Sequence, residues 1–149
     1  MTIKFGTTLA NALLVTGSLQ SLLAGGHIKF FSGPVPATAD EAVNGSSALL
    51  LTVDNGGTGV TWQNTAANGV MTKTTAETWS GTIGTTGTPT FFRYCVGADT
   101  GSGAAAAGNY RVQGTVGTDI SADLLVASTN FVATNVITLS NGQLALPTT

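Results

Sequence analysis

His27 is the single histidine and Cys95 the single cysteine of a 149-residue chain, which sharply limits the chemistry either could support. A histidine-based metal site would need carboxylates or Cys95 as co-ligands, and one thiol builds neither a thiolate-rich zinc site nor an iron–sulfur site. A Cys95–His27 nucleophile and base would further need an orienting group and an oxyanion pocket, and no motif announces them. Both residues therefore read as structural, His27 opening a strand after Gly25-Gly26 and Cys95 sitting inside one. No metal, cofactor or catalytic role is expected, and a lone cysteine cannot close an intrachain disulfide.

The other candidates have equally plain readings. Asp40-Glu41 is the only adjacent acidic pair, whereas acid–base chemistry on a sugar needs two carboxylates facing each other across a cleft. Thr38 followed by Glu41 instead matches a capping box, predicting a helical turn over Ala39 to Val43. Gly56-Gly57-Thr58-Gly59 lacks the Gly-Lys-Ser/Thr ending of a phosphate loop and reads as a turn. Asn44-Gly45-Ser46 fits a glycosylation sequon, a pattern too short to carry weight without a secretory signal. Trp62 and Trp79, set among Thr, Asn and Gly, suit either core packing or stacking on sugars, with core packing favoured.

Composition excludes further classes. Charged residues are 8% of the chain against about 25% in ordinary soluble domains, while hydrophobic residues at 42% are unexceptional. The surface must then be built from Thr, Ser, Asn, Gly and Ala, and a net charge of -2 offers little colloidal repulsion. Such a surface suits a packed assembly. The five basic residues, Lys4, Lys29, Lys73, Arg93 and Arg111, are scattered in sequence and form no stripe for a nucleic-acid backbone. Apolar runs fall short of the roughly 20 residues that span a bilayer, so no membrane partner is expected. Lys4 and the Leu-rich stretch to Leu23 loosely imitate a secretory signal, but Asn11, Thr16, Gly17, Ser18, Gln20 and Ser21 interrupt it.

The elements that must position these residues follow from periodicity. Leu9, Ala12, Leu13, Leu19, Leu22 and Leu23 recur at helical spacing, divided at Gly17, with Thr8 and Ser18 as caps and Gly25-Gly26 as the stop. From His27 the texture becomes short β runs: His27–Ser32, Ala48–Asp54, Gly69–Thr74, Thr78–Ile83, Thr90–Val96, Tyr110–Val116, Leu124–Ala127, Thr134–Ser140 and Gln143–Leu146. Asn-Gly pairs at 44, 55, 68 and 141 punctuate them, the last suited to a two-residue hairpin. In Phe91–Val96, alternation sends Phe92, Tyr94 and Val96 to the core. The prediction is an all-β chain, a sandwich or barrel over residues 27–149, preceded by a short N-terminal helical arm over 1–26. Gly81–Thr88 and Gly101–Gly108 read as loops.

An ordered set of segments then carries a resemblance: the N-terminal Leu/Ala helix, Ile28 to Asp40 with Pro34 and Pro36, Thr90-Phe91-Phe92-Arg93-Tyr94, and Gly114 to Leu124. Together they resemble small virion proteins of tailed bacteriophages, some of them capsid cement (decoration) proteins with a jelly-roll-like β fold. The resemblance implies a non-enzymatic structural protein, made in the bacterial cytoplasm, that binds the major capsid protein on the outer surface of the head as a dimer or trimer. On that reading the partner interface is expected on Thr2 to Leu23, through Leu9, Leu13, Leu19, Leu22 and Leu23, and on the loop Gly33 to Val43, through Pro34, Pro36 and Asp40. The leucines are expected to pack on a neighbour rather than on their own domain. A phage-tail module binding a carbohydrate or receptor through Trp62, Trp79 and the Thr/Asn loops is the alternative.

Overall fold

Alternation in Phe91–Val96 sets the architecture. This strand, β7, lies between β2 (Gly26–Phe31) and β8 (Arg111–Gly117), so that Ile28, Tyr94 and Val112 form one cross-strand row and Phe30 and Phe92 the next. β3 (Leu49–Val53) pairs with β2, and β1 (Lys4–Phe5) and β9 (Leu124–Leu125) pair with different ends of β8. The result is a six-stranded sheet in the order β1-β8-β7-β2-β3 with β9 added to β8, antiparallel except at β8–β9. The computed structural model describes residues 3–146.

Two smaller antiparallel sheets cover the inner face. β6 (Trp79–Thr82) pairs with β10 (Val136–Leu139), and β5 (Val70–Lys73) lies between β4 (Trp62–Ala67) and β11 (Gln143–Ala145). The chain is thus an all-β sandwich, as alternation predicted. Phe30, Leu51, Val53, Val60, Trp79 and Phe131 are at its centre. Close approach of β3 and β6 demands Gly81, since a Cβ there would lie 2.0 Å from the Thr52 carbonyl oxygen.

The helical segment is not an arm. α1 (Thr7–Val15) and α2 (Leu19–Leu22) place Leu9, Ala12, Leu19, Leu22 and Leu23 in the same core as the sheets, so residues 3–26 and the β strands share one hydrophobic interior. Short helices are marginal alone, and docking an apolar face is what stabilises them. Ser18 caps α2 by accepting from the Ser21 N–H, as expected. Thr8 does not cap α1: the N-cap is Gly6, and the Thr7 N–H is taken by the Asp40 carboxylate at 2.8 Å.

Turn chemistry holds at Asn68-Gly69, where backbone φ values of 52° and 75° close the β4–β5 hairpin. It fails at Asn141-Gly142, because β10 and β11 join different sheets; Gly142 packs under Trp79 instead. No helical turn forms over Ala39 to Val43. Glu41 accepts from the Ala37 N–H at 3.0 Å, and the surrounding backbone is used to hold side chains of the main sheet.

Candidate functional site

The segments expected at a partner interface behave differently from one another. Leu9, Leu19, Leu22 and Leu23 are buried in their own domain and Leu13 is half-buried against it, which corrects the expectation that they pack on a neighbour. What α1 offers outward is Leu14 and Val15, 82% and 86% exposed. In the loop, Pro34 is exposed, Pro36 buried and Asp40 half-buried. Thr2 lies outside the described residues.

The two segments are nevertheless brought together. Lys4 Nζ donates to the Ala37 carbonyl at 2.8 Å and to that of Pro36 at 3.4 Å, and Asp40 accepts the first amide of α1. The start of the chain and the proline loop therefore form one continuous surface, tied by hydrogen bonds 32 to 33 residues apart in sequence.

Beneath that loop lies a polar network. Strand register aligns Lys4, Gln113, Arg93 and Lys29 in one row across four strands, with Arg111 on the same face. Four of the five basic residues, dispersed in sequence, thus share the outer face of the six-stranded sheet. They are turned to internal partners. Arg111 forks onto Asp99, Nε to Oδ2 and Nη2 to Oδ1, both at 2.6 Å, and its Nη1 donates to the carbonyls of Gly103 and Ala39 at 2.9 and 3.2 Å. Arg93 donates to Gln113 Oε1 at 2.8 Å and to the Gly101 carbonyl at 2.6 Å. Gln113 reaches the Pro36 carbonyl at 2.9 Å, and Lys29 that of Asp99 at 2.6 Å. The loops themselves are joined by Val43 N–H to Ser102 and Ala105 N–H to Asp40 carbonyls.

Electrostatics match this geometry. Burial would raise the Asp99 pKa, but hydrogen bonds from Arg111 and the Gly101 amide outweigh it and hold the carboxyl below its usual range. Arg111 is held above its ordinary value by its bond to Asp99. Arg93, which shares the face with Arg111 and lacks its own carboxylate, is pushed down to about 10 by burial and by that neighbouring cation.

His27 and Cys95 are cross-strand neighbours on this same face. Burial pushes the Cys95 thiol up to about 12, so the thiolate that nucleophilic attack requires is suppressed. On the inner side Trp62 and Trp79 are buried edge-to-face, ring centroids 5.0 Å apart, and are withdrawn from any sugar at the surface. Trp62 Nε1 donates to the Tyr94 hydroxyl at 3.2 Å, and the hydroxyl to the Leu23 carbonyl at 2.5 Å. Glu77 accepts from Trp79 Nε1 at 2.6 Å and from the Thr61 amide and hydroxyl at 2.9 and 2.6 Å. Burial acts to raise the Glu77 pKa, but these bonds hold its carboxyl below the usual range.

Sequence reading missed the Arg93–Arg111–Asp99 network. The signal is strongest at Arg93, which stands inside the apolar strand run Phe91–Val96, where a charge is tolerated only if paired; Arg111 opens the more polar strand Arg111–Gly117. Protein-family models, curated proteins and solved structures give no match to this chain.

Proposed function

We propose that this chain is a non-enzymatic bacteriophage capsid cement protein that binds the outer surface of the major capsid protein lattice as a homo-oligomer and stabilises the head. The observation that carries the reading is the disposition of charge. The buried charged side chains Arg93, Arg111 and Asp99 are committed to fastening the loops around 33–47 and 97–108 onto the sheet, which leaves a sparsely charged, hydrogen-bond-stiffened exterior. A pre-ordered surface loses little conformational entropy on docking, and many copies of a standard interface of about 1,600 Å2 make a lattice cohesive without catalysis.

Contact passes on this reading from the inner leucines to the outer face of the same two segments: Leu14 and Val15 of α1, with Pro34 and Val35 of the loop. Co-sedimentation of the purified chain with emptied phage heads stripped of it tests the proposal. Saturable binding that raises the temperature of head disruption is expected, and Leu14→Ser combined with Val15→Ser should weaken binding about tenfold or more. Absence of binding to heads together with binding on a glycan array would overturn it in favour of a tail module.

A further inference from the structure

The main sheet does not stop at β3. The Asp54 N–H donates to Ser80 at 3.0 Å and the Ser80 N–H to Asp54 at 2.9 Å, while the Gly84 N–H reaches the Leu50 carbonyl at 2.9 Å. The strands thus run as one curved wall from β1 and β9 through β8, β7, β2 and β3 to β6 and β10. Its two ends do not meet. Among the described residues β10 pairs only with β6, and β9 only with β8.

A cavity of about 1110 Å3 lies between those ends, lined by residues 123–128 on one side and 135–142 on the other, over a floor that includes Ile28, Phe92 and Val112. The β10 edge is turned toward further pairing. Ser80 gives both its backbone groups to Asp54, so Thr138, which stands opposite Ser80, directs its own N–H and C=O away from β6. Around the opening Leu125 and Val136 are 54% and 63% exposed. The single charged residue in the lining is Asp123. Its Oδ2 accepts from the Thr115 amide and hydroxyl, each at 2.9 Å, but its Oδ1 is buried without a partner.

We propose that this seam receives an extended segment of a different protein, which adds as a strand along β10, directs alternate apolar side chains into the cavity and brings a Lys or Arg to Asp123. Strand addition uses both features at once, main-chain bonds at the open edge and side-chain pockets behind it. The open edge beside the cavity favours a peptide over a compact ligand, which would leave the outward backbone groups of β10 unmet. Charge complementarity fixes one position of the incoming strand, because an orphan carboxylate oxygen is best met by a cationic donor. A second copy could offer only an edge strand already paired on its other side, and such edge-to-edge pairing would leave the cavity behind β10 unfilled. The inference stands apart from the capsid reading, as it specifies the shape of the guest and not the particle that supplies it.

The test is selection of a displayed library of peptides of about nine residues, apolar at alternate positions, on the full chain. Enriched peptides should carry Lys or Arg at one fixed position and shift the emission of Trp62 and Trp79, both of which line the cavity. They should slow amide exchange of Val136 and Thr138 about tenfold or more, and Thr138→Pro, which removes only an outward N–H, should weaken them about tenfold. Asp123→Asn should abolish the preference for a basic residue. Failure to enrich any such peptide overturns the proposal. So do bound peptides that leave exchange at Val136 and Thr138 unchanged, a readout on the unaltered chain that holds even if the proline variant does not fold. A dimer in sedimentation that Thr138→Pro abolishes would assign the edge to a second copy and likewise overturn it.

Discussion

On its inner side the six-stranded sheet presents Ile28, Phe30, Phe92, Tyr94 and Val112 to two smaller sheets and two helices; on its outer side it presents Lys29, Arg93, Arg111 and Gln113 to two loops. Apolar packing is non-directional and tolerates an unfilled seam, whereas buried guanidinium groups require every donor to be met and so fix the covering backbone closely. The contrast teaches that the closed, charged face is the stiff part of this molecule. The apolar face is the one with room to accept something.

The largest effect should come from breaking the closed face. Arg111→Leu leaves Asp99 buried without its cation and frees two loop carbonyls, so urea unfolding should show a loss of about 3 to 5 kcal/mol. Arg111→Lys should rescue little, because a lysine cannot fork onto both carboxylate oxygens. Recovery of full stability by lysine would mean that the planar fork contributes nothing.

Next in size is α1, which periodicity alone reads as part of an arm. Leu9 is fully buried and Leu14 is 82% exposed on the same helix. Leu9→Ala should cost about 2 to 5 kcal/mol, and Leu14→Ala no more than about 0.5 kcal/mol. Equal, small losses at both positions in urea melts would return the segment to the role of a detachable arm and shrink the apolar face accordingly.

How much of this was legible is clearest at particular residues. Nine strands are legible from alternation and turn residues because each carries at least one apolar position that is buried or half-buried. β1 is too short to show a period, and β4, Trp62–Ala67, is polar and exposed after its tryptophan. The capping of α1 by Asp40 spans 33 residues and has no local signature. The same holds for the charged face: Lys4, Lys29, Arg93 and Arg111 are unrelated in sequence, and only strand register aligns them. Of the residues expected at a contact the leucines are the most apolar, and it is these that the domain uses for itself.

A pH series separates the faces by a smaller margin. The Asp99 carboxyl is held below its ordinary value in the folded chain, so its contribution is fully present above the unfolded pKa of about 3.9 and is lost as pH falls through the lower folded value. Unfolding free energy should therefore decline below about pH 4 more steeply in the native chain than in Arg111→Leu, where the cause of the depression is gone. The Cys95 thiol gives a local readout, since a Cβ at Gly101 of the covering loop would lie 2.9 Å from its sulfur. Labelling of Cys95, expressed at each pH relative to the rate in the urea-unfolded chain so that the falling thiolate fraction cancels, should accelerate in acid in step with the loss of stability. Parallel pH curves for the two proteins would show that Asp99 is not the group responsible.

The smallest expected effect concerns salt, and it bears on whether the charged face is truly closed. Arg111–Asp99 is the one ion pair among the described residues, and both side chains are almost fully shielded from solvent. Mobile ions screen exposed charges within about 10 Å at 0.1 M, but they reach a buried pair weakly. Charged residues are only 8% of the chain, so few surface pairs exist to be screened in its place. Raising sodium chloride from about 0.05 to 0.5 M should then change the unfolding free energy by less than about 0.5 kcal/mol. Chloride is the appropriate anion, because sulfate strengthens apolar burial and would raise stability through the other face. A fall of more than about 1 kcal/mol in chloride would mean that ions reach the arginines, that the loops at 33–47 and 97–108 open readily, and that the stiff face is the mobile one.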